Sequence, residues 1–340
     1  LGKRSEKHIK RAKKKGKKKI IILSILFIFL FVVGFGGVYI WNTFSKLKKT
    51  DISKSNEDLG ISDDLANLDA GDITNIAFFG VDQREKGELG RSDSTMVLTI
   101  DKKHKKIKMT SLMRDSYVQI DGHGQDKLNH AYAFGGPQLA IKTINENFGL
   151  NIKDFVSVNF GDLAHIIDAL GGVQINIKNN EVKLVNDYIK DVASVTGLKG
   201  EPLSNSGMQN LNGVQAVAYS RIRYVGNGDF ERTERQRTVL TALFEKITKA
   251  GVSEYPSLVN KLLPYVETSL STGDIIKTGT SALSAGITNL EQERFPIDGY
   301  CKPLTKNGVW YLQVDLTATK KQIYEYIFND VKPTPGTAKF

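Results

Sequence analysis

Twenty-one consecutive residues, Ile20 to Ile40, carry no charge, and they divide the chain before any other pattern can act. The run IIILSILFIFLFVVGFGGVYI would span about 32 Å as a helix, the thickness of a bilayer's hydrocarbon core. Tyr39 and Trp41 fall at its far end, where amphipathic rings favour the membrane–water interface. A cleaved leader ending near Gly34–Gly37 is the other reading of such a run. The apolar stretch is too long for a leader and continues past the glycines. The pattern predicts one transmembrane helix over residues 20–41.

Ahead of it, residues 1–19 hold eleven bases and one acid, Glu6. The chain has 47 Lys+Arg and 37 Asp+Glu, so the 321 residues after Lys19 hold 36 of each. The net charge of +10 is therefore a property of the tail alone. The positive-inside rule predicts a cytoplasmic tail, a single-pass anchor in the cell membrane and an extracytoplasmic remainder. A neutral body has no basic field with which to hold nucleic acid, which excludes that partner class. The one cysteine, Cys301, cannot form a disulfide within the chain and reads as a small apolar side chain. The five histidines are scattered, without metal-ligand spacing.

Residues 42–72 are rich in Lys, Asp, Ser and Asn and predict an extracytoplasmic stalk with one short helix. Residues 73–330 can bury a full core as a single domain, and 331–340 form a Pro/Thr/Gly tail expected to be flexible. Strand patterns cover 75–81, 95–100, 107–112, 155–159, 173–177, 293–297 and 309–315. Helical periodicity covers 138–148, 162–170, 181–195 and 231–250. Strands interleaved with helices imply an α/β fold, a central β-sheet covered by helices on both faces.

Chemistry concentrates at strand ends. Asp82 closes one apolar strand, and Asp93 opens the next after a loop containing Gly87 and Gly90. Two carboxylates so placed can share a hard cation such as Mg²⁺. Arg91 lies between them, Arg114 and Asp115 follow the next strand, and Lys127 comes soon after. The segment Ser220–Arg237 then packs five arginines into eighteen residues. Arg presents a planar fork that grips phosphate oxygens in pairs. Alternation across Arg221, Ile222 and Arg223 suits an extended segment with both guanidinium groups on one side. Arg232 and Gln236 share a face of a helix beginning near Asp229. A solvated helix start, with Asp229, Glu231 and Glu234 pairing the arginines, explains this segment alone equally well. Its joint occurrence with the strand-end residues points to a phosphate site beside a divalent metal.

The motifs GVDQREKGELGRSDSTM, SLMRDSYV, DKLNHAYAFGG, ALGGV and SRIRYVGNGDFERTERQR together resemble the LytR-CpsA-Psr family. They span residues 75–237 in family order, while the region after Ala250 carries no diagnostic motif. Met113 stands where the family often has Pro, and Ser94 extends the usual wording by one residue. The resemblance implies a mixed-sheet α/β domain that transfers a glycopolymer, such as teichoic acid, capsular or secondary wall polysaccharide. The donor would be a polyprenyl-pyrophosphate carrier and the acceptor peptidoglycan. It implies Asp82 and Asp93 as Mg²⁺ ligands. Arg91, Arg114, Lys127, Arg221 and Arg223 would contact pyrophosphate, with Asp229, Arg232 and Gln236 completing the pocket. Asp115 or Asp229 would take the acceptor's proton. Helix 181–195 or 238–247 would offer the lipid tail an apolar slot. Two other functions fit the same residues: hydrolysis of the lipid pyrophosphate, and non-catalytic sensing of the lipid-linked glycan.

Overall fold

Along Ile76 to Val81 the side chains are apolar or small, and a strand's period of two divides them between opposite faces. Ala77, Phe79 and Val81 join one core, while Ile76 and Phe78 pack on the other side. Such a strand must be covered on both faces. In the computed structural model it lies at the centre of a seven-stranded mixed sheet. The structure describes residues 44–340, apart from 67, 69–71, 84–88, 224–227, 251–253, 285, 288 and 339. The expected cytoplasmic tail and membrane span, 1–41, lie outside the described residues. Among the described residues no helix is long and apolar enough to cross a membrane.

The sheet comprises β1 (Lys48–Lys49), β2 (Ile73–Asp82), β3 (Arg91–Asp101), β4 (Lys106–Leu112), β7 (Asp154–Asn159), β10 (Glu267–Thr268) and β11 (Asn289–Phe295). Their spatial order is β1-β10-β7-β2-β3-β4-β11. β2, β3 and β4 form an antiparallel meander, flanked by parallel β7 and parallel β11. Three two-stranded ladders lie outside it. They pair β5 (Tyr117–Ile120) with β6 (Gly124–Lys127), β8 (Val173–Ile177) with β9 (Gly207–Leu211), and β12 (Cys301–Lys306) with β13 (Val309–Val314).

A short α1 (Asp63–Ala66) precedes β2. The Phe79 face is covered by α2 (His130–Phe148) and α9 (Leu316–Phe328), through Ile144, Phe148, Ile323 and Tyr326. The opposite face carries α3 (Phe160–Ala169), α4 (Val182–Thr196), α5 (Gly213–Arg221) and α6 (Asp229–Lys249). There α7 (Tyr255–Leu262) follows α6, and α8 (Thr272–Ser284) packs on Ile76 and Ile100. Helix α2 breaks at Gly135 and Gly136, whose φ of +63° suits glycine, and Pro137 starts its second segment. That second segment is the helix expected over 138–148. At Gly213 a Cβ would come within 2.1 Å of the Ala164 carbonyl oxygen, so α3 and α5 touch backbone to backbone.

Two boundaries differ from expectation. The compact unit begins at Leu47, because Leu59 and Ile61 bury in the main core and Asn145 Nδ2 donates to the Leu59 carbonyl at 2.8 Å. Leu59 and Ile61, joined by half-buried Ile52, Leu65 and Leu68, thus dock most of the expected stalk. The C-terminal tail is also tied down: Gly336 and Ala338 donate their N–H groups to the Asp298 and Gly299 carbonyls.

Candidate active site

The ends of β2, β4 and β6, the start of β3 and the N-terminus of α6 converge on a cavity of ≈ 590 Å³. Of the eleven residues singled out in the sequence, seven line it: Asp82, Arg91, Asp93, Arg114, Asp115, Lys127 and Arg223. Asn129 and His130 line it too, and His130 Nδ1 lies 2.7 Å from Asp126 Oδ2. Both stand in the DKLNHAYAFGG motif, where charge alone drew the eye to Lys127.

Asp93 owes its position to a local irregularity. Gly80 pairs with Ser94 and Val81 with Ser92, which leaves Asp93 without a partner on β2. Such a bulge re-aims one side chain and bends the strand. The Asp93 carboxylate accepts from Arg114 Nη1 at 2.7 Å and from Arg232 Nη2 at 2.8 Å. Its backbone carbonyl accepts from Gln236 Nε2 at 3.4 Å. Arg114 also donates to Asp229, at 3.0 and 3.2 Å, and its Nε lies 3.2 Å from Asp115 Oδ2. Lys127 closes the ring, donating to Asp115 Oδ1 at 2.7 Å. The Arg223 guanidinium stays 3.8 Å from both Asp93 and Asp229, and 41% of its side chain is exposed.

The electrostatics follow from this packing. Burial pushes the Asp93 carboxyl up, but the charges of Arg232 and Arg114 outweigh it and hold it well below the usual carboxylate range. Asp229 behaves alike: burial is outweighed by Arg114, Arg232 and Arg223. The Arg232 pKa is lowered as well, by burial and by repulsion from Arg114 and Arg223, against the attraction of Asp93. Its Nε is buried without a hydrogen-bond partner, and its Nη1 comes no nearer than 3.7 Å to the Asp229 carboxylate. Buried donors left open in this way call for an anionic acceptor.

The other arginines part company. Arg235 is buried and donates to Glu181, Glu231 and the Ile222 carbonyl, so it builds the wall from behind. Arg221 ends α5 instead of lying in an extended run, and its guanidinium stacks over Phe160 and Tyr188, 5.1 and 5.8 Å from the ring centres. It is not among the residues lining the cavity. A narrow apolar slot of ≈ 40 Å³, far smaller than the charged cavity, opens between the sheet, α3 and α6, walled by Phe78, Val158, Phe160, Leu163, Val239 and Leu240. Gln236 and Ser94 stand at the junction of this slot with Asp93. Of the two helices expected to offer such a slot, 238–247 contributes and 181–195 is not among the lining residues.

One group of metal-ligating type occurs among the described residues, at the far end of β3: Asp101, His104 and Asp330 bring ligand atoms within 4.8 Å of one another. The Lys108 ammonium sits against it, 2.7 Å from Asp101 and 3.0 Å from Asp330. The proposed Mg²⁺ ligands Asp82 and Asp93 lie in the cavity instead.

The LytR_cpsA_psr family model matches residues 36–326. The polyisoprenyl-teichoic acid–peptidoglycan teichoic acid transferase TagU of Enterococcus faecalis is 34% identical over 312 residues, 88% of this chain and 93% of its own. Among solved structures, TagT bound to LI-WTA has a TM-score of 0.63 at 25% identity, covering 82% of this chain and 99% of that one. TagT (YwtF) with bound octaprenyl pyrophosphate lipid has a TM-score of 0.56 at 27% identity, covering 76% and 91%.

Proposed function

The chain belongs to the LytR-CpsA-Psr family, and on that premise we propose that it moves a glycopolymer of the teichoic acid type from a polyprenyl-pyrophosphate carrier onto peptidoglycan. The observation that carries this reading is the junction of an arginine-rich anion site with an apolar slot, at Asp93 and Gln236. A ligand with a charged head and a hydrocarbon tail is the one chemistry that needs both. The lipid seen in the TagT structure has that chemistry.

In this reading an acceptor hydroxyl oxygen attacks the sugar-bearing phosphorus. The bond to the bridging oxygen breaks, and polyprenyl phosphate leaves with the electron pair. Phosphoryl transfer asks chiefly for positioning and charge neutralisation. Arg223, exposed and loosely held, swings onto the leaving phosphate. Arg114 holds the transferring phosphoryl group, and its own charge is secured by Asp93, Asp115 and Asp229. Lys127 and Arg91 bind the outer oxygens, and buried Arg232 fixes Asp93. The hydroxyl proton goes to a carboxylate of this wall, Asp115 or Asp229. Asp82 and Asp93 offer hard oxygen donors to the same cavity, the donor type that suits Mg²⁺. Held there by Asp82 and Asp93, Mg²⁺ would supply further positive charge against the pyrophosphate.

The charge asymmetry about Ile20–Ile40 supports a cytoplasmic N-terminus and an extracytoplasmic catalytic domain. External protease on protoplasts should then remove the domain, and full protection would sink that topology. The chemical test is incubation with polyprenyl-pyrophosphate oligosaccharide, peptidoglycan fragments and Mg²⁺, followed by product masses. Transfer yields a phosphodiester-linked glycan and polyprenyl phosphate. Release of phosphorylated sugar alone, whatever the acceptor, would identify a hydrolase.

A further inference from the structure

Three aromatic rings gather beside Lys127 at the edge of the cavity. Its Nζ lies 5.7 Å from the Trp310 ring centre and 5.8 Å from that of Tyr311. Tyr311 in turn packs on Tyr117, with ring centres 4.8 Å apart, and Lys306 donates to the Tyr117 hydroxyl at 2.8 Å. Trp310 is 39% exposed, an unusual allowance for an indole. The rings are also held in register with the site. Leu312, two residues beyond Trp310, donates its N–H to the Asp115 carbonyl at 2.9 Å. Tyr117 stands directly opposite Lys127 across the β5–β6 ladder.

An exposed indole beside two half-buried tyrosine rings, flanked by lysines, has a chemical counterpart in a pyranose, whose axial C–H face is apolar and whose rim carries hydroxyls. We propose that Trp310, Tyr311 and Tyr117 form a stacking platform for sugar rings of the acceptor glycan strand, an inference that rests on the transfer reaction above. The side of approach selects acceptor over donor. The apolar slot opens on the α3/α6 face of the sheet, whereas β5 packs into the opposite, Phe79-side core through Val118 and Ile120. An in-line displacement places entering and leaving oxygens on opposite sides of phosphorus. With the lipid phosphate leaving toward the slot, the platform is where the nucleophile's sugar is held. Lys127 joins the two, touching the rings and Asp115 at once.

The chain has two tryptophans, Trp41 and Trp310, so Trp41→Phe leaves Trp310 as the sole indole reporter. Titrating that full-length variant in detergent with a peptidoglycan-type oligosaccharide should give a saturable fluorescence change. Tyr311→Ala in the same background should weaken it about tenfold. In the transfer assay Trp310→Ala should raise the acceptor KM by a similar factor and leave the donor-lipid KM unchanged, while Trp310→Phe should largely restore it. Thermal melts control for folding. The platform is overturned if a chain that transfers glycan shows no fluorescence response, or if only the donor KM rises. A saturable response in a chain that makes only hydrolysis products would overturn the transfer reading and leave the glycan platform standing.

Discussion

Strand β3 carries a buried aspartate near each end, and the two ends solve the same electrostatic problem differently. At Asp101 the buried Lys108 ammonium donates to the carboxylate at 2.7 Å and to the Tyr326 and Ile327 carbonyls at 2.9 and 3.2 Å. All three of its protons are used, and the last turn of α9 is capped in the process. At Asp93 two arginines bind one carboxylate, yet Arg232 Nε has no acceptor and its Nη1 only the Asp229 carboxylate at 3.7 Å. The first end is closed and acts as scaffold. The second is left open, with more donors than the protein satisfies, and that surplus marks the site. A buried ion pair by itself separates neither case; the census of its remaining hydrogen bonds does.

The largest test of this contrast is Lys108→Met. It leaves the fully buried Asp101 with His104 as its remaining partner and should cost up to about 3–5 kcal/mol in denaturant unfolding, with turnover per folded molecule unchanged. A loss below about 1 kcal/mol would remove the distinction between the two ends. Next comes Arg223→Lys, which keeps the charge and loses the fork. It should slow transfer by roughly 30- to 1000-fold, about 2–4 kcal/mol in the barrier, while the melting temperature holds. A wild-type rate would return the segment to a solvated ion-pair face. Acid titration separates the ends further. Burial raises the Asp101 pKa, but hydrogen bonds from Lys108 and His104 outweigh it and leave it lowered. Its stabilisation is therefore complete above the unfolded value of about 3.9 and is lost as pH falls through the lower folded value. Asp101→Asn should flatten the fall in stability below about pH 4, and an unchanged acid limb would contradict the pairing. The smallest effect belongs to Arg221→Lys. A cation over Phe160 and Tyr188 loses about 0.5–1 kcal/mol at most, so its rate should stay within a few-fold of wild type. A loss equal to that of Arg223→Lys would place Arg221 on the pyrophosphate after all.

The amphipathic helices and the apolar strands were legible in the sequence, and the elements with neither pattern were not. Helices α3 and α6 announce themselves by apolar stripes, and their observed bounds lie within two residues of expectation. Helix α5 is invisible to periodicity because Gly213 to Ser220 are buried on every side. Strand β12 contains Pro303 and three lysine or threonine positions, so nothing in it alternates. At the site, strand-end charges led to the cavity because few other positions can gather ions from separate strands. The misplacement of Arg221 came from assuming an extended run where the capping box of Asn212 and Gln215 starts a helix that carries through to it. Trp310 and Tyr311 stayed unread since their meaning depends on Lys127, far away in sequence, and on a ladder that only the fold assembles.

The Arg235 contact to the Ile222 carbonyl has one more consequence. It clamps the chain just before Arg223, and the Arg232 N–H bonded to the Gly228 carbonyl fixes the point where α6 begins. Arg235 therefore acts twice, as the buried partner of Glu181 and as the strut that sets where the backbone leaves α5 toward Arg223.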